Sequence, residues 1–305
     1  MSRIQDILQK AERDGTARPL SIDHATAPIA PPPEPAAPLH DRFAVHAESR
    51  RRGVPQTLPE IDATGRVGVE AMTDGIAVAD YVLDPLLVAG LLPHSLAAER
   101  FRSLRTRITN AENGKPYRVL LLTSPNRGEG KSITTTNLGL TMAQEFHRRV
   151  AVVDADLRKP RVHTLFGLPH GPGLTDVLVG SATLDEVALS LPEYGLTVIP
   201  AGTPTDHPAE LLGSAAMRRL LDALRARFDR VVVDTPPAGL LADVGVMAPM
   251  ADGVLLIIRA GVTPKPAIER ALASFDPTKL LGLVLNEVGP TPDADGYYGY
   301  GYEKE

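Results

Sequence analysis

The residues Gly128-Glu-Gly-Lys-Ser132 place two glycines, a lysine and a hydroxyl within five positions, directly after the apolar run Val119–Thr123. A strand that feeds a glycine loop and then a helix start makes a phosphate cradle, because backbone N–H groups and the helix dipole both favour an anion there. In such a loop Lys131 reaches the β- and γ-phosphates of a nucleotide and Ser132 ligates Mg²⁺. The strict pattern G-x-x-x-x-G-K-[ST] is broken at its first glycine, where Pro125 stands. Two acidic stretches add to this loop. Val150-Ala-Val-Val-Asp154-Ala-Asp156-Leu-Arg158 and Val231-Val-Val-Asp234-Thr-Pro-Pro237 each end an apolar run in carboxylates. Ligands of open parallel sheets bind at the carboxyl ends of strands. One such aspartate reads as a turn or cap residue; Asp154, Asp156 and Asp234 together with Gly-Lys-Ser read as a nucleotide and metal site. The matching chemistry is phosphoryl transfer, which needs alignment and charge neutralisation more than covalent help.

The elements that must hold these groups are legible as apolar runs alternating with amphipathic stretches. Strands are expected at Val119–Thr123, Val150–Val153, Leu196–Pro200, Val231–Asp234, Val254–Arg259 and Leu281–Asn286, and helices at Lys131–Phe146, Leu174–Val179, Ser214–Phe228 and Pro264–Phe275. Apolar strands without alternation, separated by helices, predict an α/β fold: a mostly parallel sheet with helices on both faces. Ahead of it, Ile4, Ile7, Leu8 and Ala11 fall at helical spacing, and the run from Ala27 to Pro38 is rich in proline, which favours an extended linker. The expected organisation is an arm over residues 1–78, a short helix plus largely disordered linker; a catalytic domain over 79–289; and a flexible tail over 290–305.

Composition narrows the function. The 305 residues contain no cysteine, which excludes thiol nucleophiles, disulfides and cysteine-ligated metals and fits a reducing compartment. A formal net charge of −5 lacks the basic excess of a nucleic-acid coat, so no nucleic-acid partner is expected. No apolar run approaches the ~20 residues that span a bilayer. Aromatics make up only 4% of the chain, yet four of the seven tyrosines, Tyr297, Tyr298, Tyr300 and Tyr302, sit in its last nine residues. Rings placed there are not packing a core.

Taken together, these motifs resemble the bacterial protein-tyrosine kinases of exopolysaccharide and capsule synthesis, relatives of the septum-site and partition ATPases. Gly128–Ser132 is similar to the family's deviant Walker A, Asp154-Ala-Asp-Leu-Arg158 to its Walker A′ and Val231–Pro237 to its Walker B. The resemblance implies a P-loop NTPase fold and an enzyme that uses ATP and Mg²⁺ to phosphorylate its own tyrosine cluster. By this likeness Gly128, Glu129, Gly130, Lys131, Ser132 and Ile133 bind ATP, and Asn286 contacts adenine. Ser132, Asp156 and Asp234 hold the metal, and Lys131, Asp154, Asp156 and Asp234 are catalytic. Asp154 is assigned as the base and Asp156 to the metal shell, with the reverse split left open. Glu99, Arg102 and Arg105, at i, i+3 and i+6, match a motif for ring-like self-association. Arg127 stands where the family usually has proline and His207 where asparagine is usual. The implied partners are other copies of the chain, a membrane-spanning polysaccharide co-polymerase that activates it, and a cognate tyrosine phosphatase; the implied location is cytoplasmic, peripheral to the inner membrane through that partner. The tail, which spans about 20 Å as a flexible ~15-residue segment, would reach a neighbouring subunit's site, so transfer is expected in trans. The alternative is a positioning ATPase of the septum-site or partition type.

Overall fold

The computed structural model describes Ile76–Ala77 and residues 81–112, 114–145, 148–239 and 242–288. The rest of the expected arm and the whole expected tail, with all four clustered tyrosines, lie outside the described residues.

Eight strands form one sheet: β1 (Ile76–Ala77), β2 (Val119–Thr123), β3 (Val150–Asp154), β4 (Leu189–Leu191), β5 (Leu196–Ile199), β6 (Arg230–Asp234), β7 (Gly253–Arg259) and β8 (Leu280–Asn286). Their order is β1-β4-β5-β3-β6-β2-β7-β8, with every neighbouring pair parallel except the antiparallel β4–β5. Ten α-helices accompany them among the described residues: α1 (Val88–Leu91), α2 (Leu96–Asn110), α3 (Lys131–Ala143), α4 (Val162–Leu165), α5 (Leu174–Val179), α6 (Leu184–Val187), α7 (Pro208–Leu212), α8 (Ala215–Arg227), α9 (Asp243–Met247) and α10 (Lys265–Leu272).

Every residue of β2, β3 and β6 is buried, which a strand shows only when both faces of its sheet are covered. One parity of side chains, Leu120, Leu122, Val150, Val152 and Val232, packs with Leu138 and Leu140 of α3, Ile108 of α2 and Phe166. The other parity is equally buried, and α8 turns Met217, Leu220, Leu221 and Leu224 inward. The six strands expected from the sequence are present. β4 escaped prediction because a Leu-Ser-Leu segment is too short to carry a period, and α1, α4, α6, α7 and α9 are four- or five-residue turns with the same difficulty.

Two local features serve the site. α3 is almost wholly buried, so its hydroxyls bond back along the helix: Thr135 Oγ1 to the Lys131 carbonyl at 2.9 Å and Thr136 Oγ1 to that of Ser132 at 2.8 Å. α8 starts where predicted, with Ser214 Oγ accepting the Met217 N–H at 3.1 Å as an N-cap.

Candidate active site

Strand order explains why the separated motifs meet. β3, β6 and β2 are consecutive and parallel, so their carboxyl ends share one edge, and Asp154 stands directly opposite Asp234 in register. The loop after β2 turns at Gly128 and Gly130, with φ of 78° and 84°, in the left-handed region open to glycine. Gly130 is the N-cap of α3, and a Cβ there would collide with the Asn286 side-chain amide.

At this edge the Lys131 ammonium donates to Asp156 Oδ2 at 2.7 Å and lies 3.4 Å from Asp234 Oδ2. Ser132 Oγ donates to the same Asp234 oxygen at 2.5 Å, and Thr135 Oγ1 to its Oδ1 at 3.3 Å. Burial disfavours the charged ammonium, but Asp234 and Asp156 outweigh it, so Lys131 holds its proton more tightly than an ordinary lysine. Burial also raises Asp234, against the pull of Lys131.

Asp154 is fully buried. Its Oδ2 accepts the N–H groups of Arg161 and Val162 at 3.0 and 2.9 Å, at the start of α4, and its Oδ1 accepts that of Asp156 at 3.1 Å. Removal from water, reinforced by the facing Asp234, pushes its carboxyl up to about 8.

These groups border a cleft of about 580 Å³ lined by Leu86, Gly130, Lys131, Ile133, Asp156 and Asn286, among others. Its volume suits a nucleotide-sized ligand. Leu86 is held in the wall by Asn137 of α3, whose Nδ2 donates to the Leu86 and Ile133 carbonyls at 2.9 Å each while its Oδ1 accepts the Ala89 N–H at 2.9 Å.

The other predicted residues are placed as follows. The Glu129 carboxylate is buried under the loop: it accepts the Asn126 backbone N–H at 2.9 Å and Thr263 Oγ1 at 2.7 Å, while its main-chain carbonyl accepts Asn286 Nδ2 at 3.0 Å. It shapes the loop from behind. Arg102 pairs with Glu99 at 2.7 Å and donates to the Pro93 carbonyl at 2.7 Å. Arg105 reaches α3, donating to the Thr141 carbonyl at 2.7 Å and pairing with Glu145 at 3.1 Å. Within one chain Arg105 therefore braces α2 against α3, while Arg102 ties α2 to the segment that precedes it.

Sequence reasoning missed Thr135, Asn137, Thr263 and Asp243. The last is fully buried at the start of α9 and takes the Arg158 guanidinium through both oxygens, at 2.8 and 3.3 Å. Nothing in the linear text marks a partner 85 positions away.

Among the described residues no group of three His, Cys, Asp or Glu side chains could by itself hold a metal. Among the same residues no helix is long and apolar enough to cross a membrane.

No family model matches the chain. Individual proteins do. The tyrosine-protein kinase YwqD of Bacillus subtilis is 37% identical over 216 residues, covering 70% of this chain and 91% of that kinase. The tyrosine-protein kinase CpsD of Streptococcus agalactiae is 34% identical over 204 residues, covering 66% and 88%. Among solved structures, the chimerical protein CapA2B2 superposes with a TM-score of 0.65 at 28% identity, covering 70% of this chain and 93% of that one. The kinase domain of the Escherichia coli tyrosine kinase ETK gives 0.62 at 28% identity, covering 72% and 86%. The expected α/β P-loop architecture is the one these relatives share. A lysine, a serine and three aspartates gathered at the carboxyl edge of that sheet, in a chain this similar to YwqD over nearly the whole of that kinase, place the protein in the family of bacterial tyrosine-protein kinases.

Proposed function

We propose that this chain is an ATP-dependent protein-tyrosine kinase that phosphorylates the tail of a neighbouring copy at Tyr297, Tyr298, Tyr300 and Tyr302 and so regulates exopolysaccharide synthesis and export. The observation that carries the reading is the buried cluster of Lys131, Ser132, Asp156 and Asp234, linked by contacts of 2.5–3.4 Å centred on Lys131 and Asp234, on the rim of a nucleotide-sized cleft. The phenolic oxygen attacks the γ-phosphorus, the bond to the β,γ-bridging oxygen breaks, and ADP leaves with the electron pair. Lys131 exchanges its carboxylate partners for phosphate oxygens as the nucleotide enters, and the N–H groups of the loop and of the first turn of α3 orient the phosphates. Mg²⁺ would neutralise charge on the moving phosphoryl group. Ser132, Asp234 and Asp156 are the residues to hold it, since all three present hard oxygens around one point already occupied by a cation, the Lys131 ammonium.

We assign the phenolic proton to Asp154, which accepts it only when ionised; with its carboxyl raised to about 8, transfer should speed up as pH rises towards that value. Its oxygens are engaged by the Arg161 and Val162 N–H groups, so that turn has to shift before a phenol meets it. Asn286, beside the loop and in the cleft wall, suits contact with the base of the nucleotide. We assign residues 1–78 to an N-terminal arm, a short helix plus proline-rich linker, 79–289 to the kinase domain and 290–305 to the substrate tail. Self-association through Glu99, Arg102 and Arg105, activation by a membrane-spanning polysaccharide co-polymerase, reversal by a tyrosine phosphatase and a cytoplasmic position at the inner membrane complete the proposal.

Transfer in trans is tested by mixing two chains, neither of which can phosphorylate its own tail: full-length Lys131→Met as acceptor, and an active chain with all four tail tyrosines changed to phenylalanine as donor. ATP and Mg²⁺ should then place phosphate on the tail of the Lys131→Met chain. Phosphorylation confined to wild-type chains, absent from the mixture at every concentration ratio, would overturn the trans assignment.

A further inference from the structure

The cleft carries more positive charge than the nucleotide chemistry accounts for. Of its ionisable lining residues, Lys131 and Asp156 pair with each other, and Glu287 pairs with Arg259 at 2.6 Å. That leaves Arg127, Lys159 and Arg161, all exposed, all lining the cleft, and none with an ion-pair partner among the described residues. Three free cations on one rim of a chain whose net charge is −5 form a local field that draws in anions.

Two of the three stand on a different element from the phosphate cradle. Lys159 and Arg161 belong to the turn between β3 and α4, and β6 lies between β3 and the strand that feeds the glycine loop. The cradle has its own donors in Lys131 and the start of α3. Arg127 is an exposed residue of the glycine loop itself and lines the same cleft. An acceptor entering this cleft meets all three cations.

The tyrosine cluster has complementary flanks. Asp293 and Asp295 precede Tyr297, and Glu303 and Glu305 follow Tyr302, with Lys304 the one cation in the stretch. We propose that Arg127, Lys159 and Arg161 form a substrate-recognition rim that selects tyrosines flanked by acidic residues, the tail of a second copy being one such substrate. The inference rests on the kinase reading and adds to it a chemical rule for the acceptor peptide. Phosphorylation of the inner tyrosines strengthens the attraction, because each phosphate adds about −1.5 to −2 charges, so a tail once modified is held for further transfer.

The test uses the full-length chain with its four tail tyrosines changed to phenylalanine, so that only added peptide accepts phosphate. Three peptides spanning residues 291–305 are compared: the natural one, one with Asp and Glu changed to Asn and Gln, and one with them changed to Lys. Partly exposed ion pairs are individually weak, and three together correspond to about tenfold in KM. The natural peptide should therefore show a KM about tenfold below the neutral one, and raising the salt should shrink that ratio as the charges are screened. Combining Lys159→Glu with Arg161→Glu should reverse the order, so that the lysine peptide becomes the better acceptor. Equal KM values for all three peptides, or an acidic preference that survives the double charge reversal, overturn the rim and leave the kinase standing. A raised KM for ATP with the peptide order unchanged shows a nucleotide clamp and also overturns it. Absence of phosphotyrosine on every peptide removes the kinase reading itself.

Discussion

Asp154→Asn should make the nucleotide-free protein more stable while abolishing its activity. Asp154 is fully buried, opposite Asp234, and its carboxyl is raised from 3.8 to about 8. The sign follows from proton linkage: between those values the folded state binds a proton that the unfolded chain has released, so stability falls as pH rises through the interval and levels off near its upper end. At pH 7 the interval above the 3.8 reference is about 3.2 units, which at 1.36 kcal/mol per unit sets a ceiling of about 4 kcal/mol. Asparagine carries no such penalty. Its Oδ1 can still accept from Arg161 and Val162, but its amide nitrogen then faces the Asp156 N–H that the second oxygen had accepted, at a cost of about 1–3 kcal/mol. The net gain is about 1–3 kcal/mol, or roughly 3–10 °C in Tm for a domain of this size. Thermal unfolding in EDTA, without nucleotide, at pH 5.5, 7 and 8.5 checks it. The gap between variant and wild type should be near zero at pH 5.5 and widen to pH 8.5. A variant less stable than wild type at pH 8.5, or a gap independent of pH, would refute the argument.

Other perturbations have equally definite outcomes. Asn137→Ala strips a hydrogen-bond partner from each of Leu86, Ala89 and Ile133 and should cost about 2–4 kcal/mol in chemical denaturation, with weaker nucleotide binding by calorimetry because the Leu86 wall loosens. Gly130→Ala forces a side chain into the left-handed region and onto Asn286, so nucleotide binding should drop by tenfold or more in the same titration. Arg158→Ala leaves Asp243 buried and unpaired, costing about 3 kcal/mol; adding Asp243→Ala should recover part of that loss, which a double-mutant cycle in urea would read as coupling.

How much of this was legible in the sequence differs by residue. Lys131, Ser132 and Asp234 were readable because each sits within two residues of a strand or helix boundary that hydrophobic runs announce. Once β3, β6 and β2 are adjacent and parallel, their meeting is compulsory. Asp243 and Thr263 were not readable, because their meaning lies in partners far along the chain, Arg158 and Glu129, that only the folded sheet brings close. The same holds for the arginines of α2. Their spacing marks one helical face, but only the fold shows that Arg105 is already spent on α3. The cationic rim is a case of the opposite kind: Arg127, Lys159 and Arg161 are visible as letters, yet their lack of partners is a property of the surface.

The central claim is that the cluster around Lys131 phosphorylates tyrosines of the tail. Its most direct test is incubation of the full-length protein with ATP and Mg²⁺, with and without the proposed membrane-spanning activator, followed by phosphosite mapping by mass spectrometry, alongside Lys131→Met and Asp156→Asn. Wild type should carry phosphate at Tyr297, Tyr298, Tyr300 and Tyr302, and both variants should carry none. A wild-type tail without phosphotyrosine, or a tail phosphorylated by the Lys131→Met protein alone, would contradict the account.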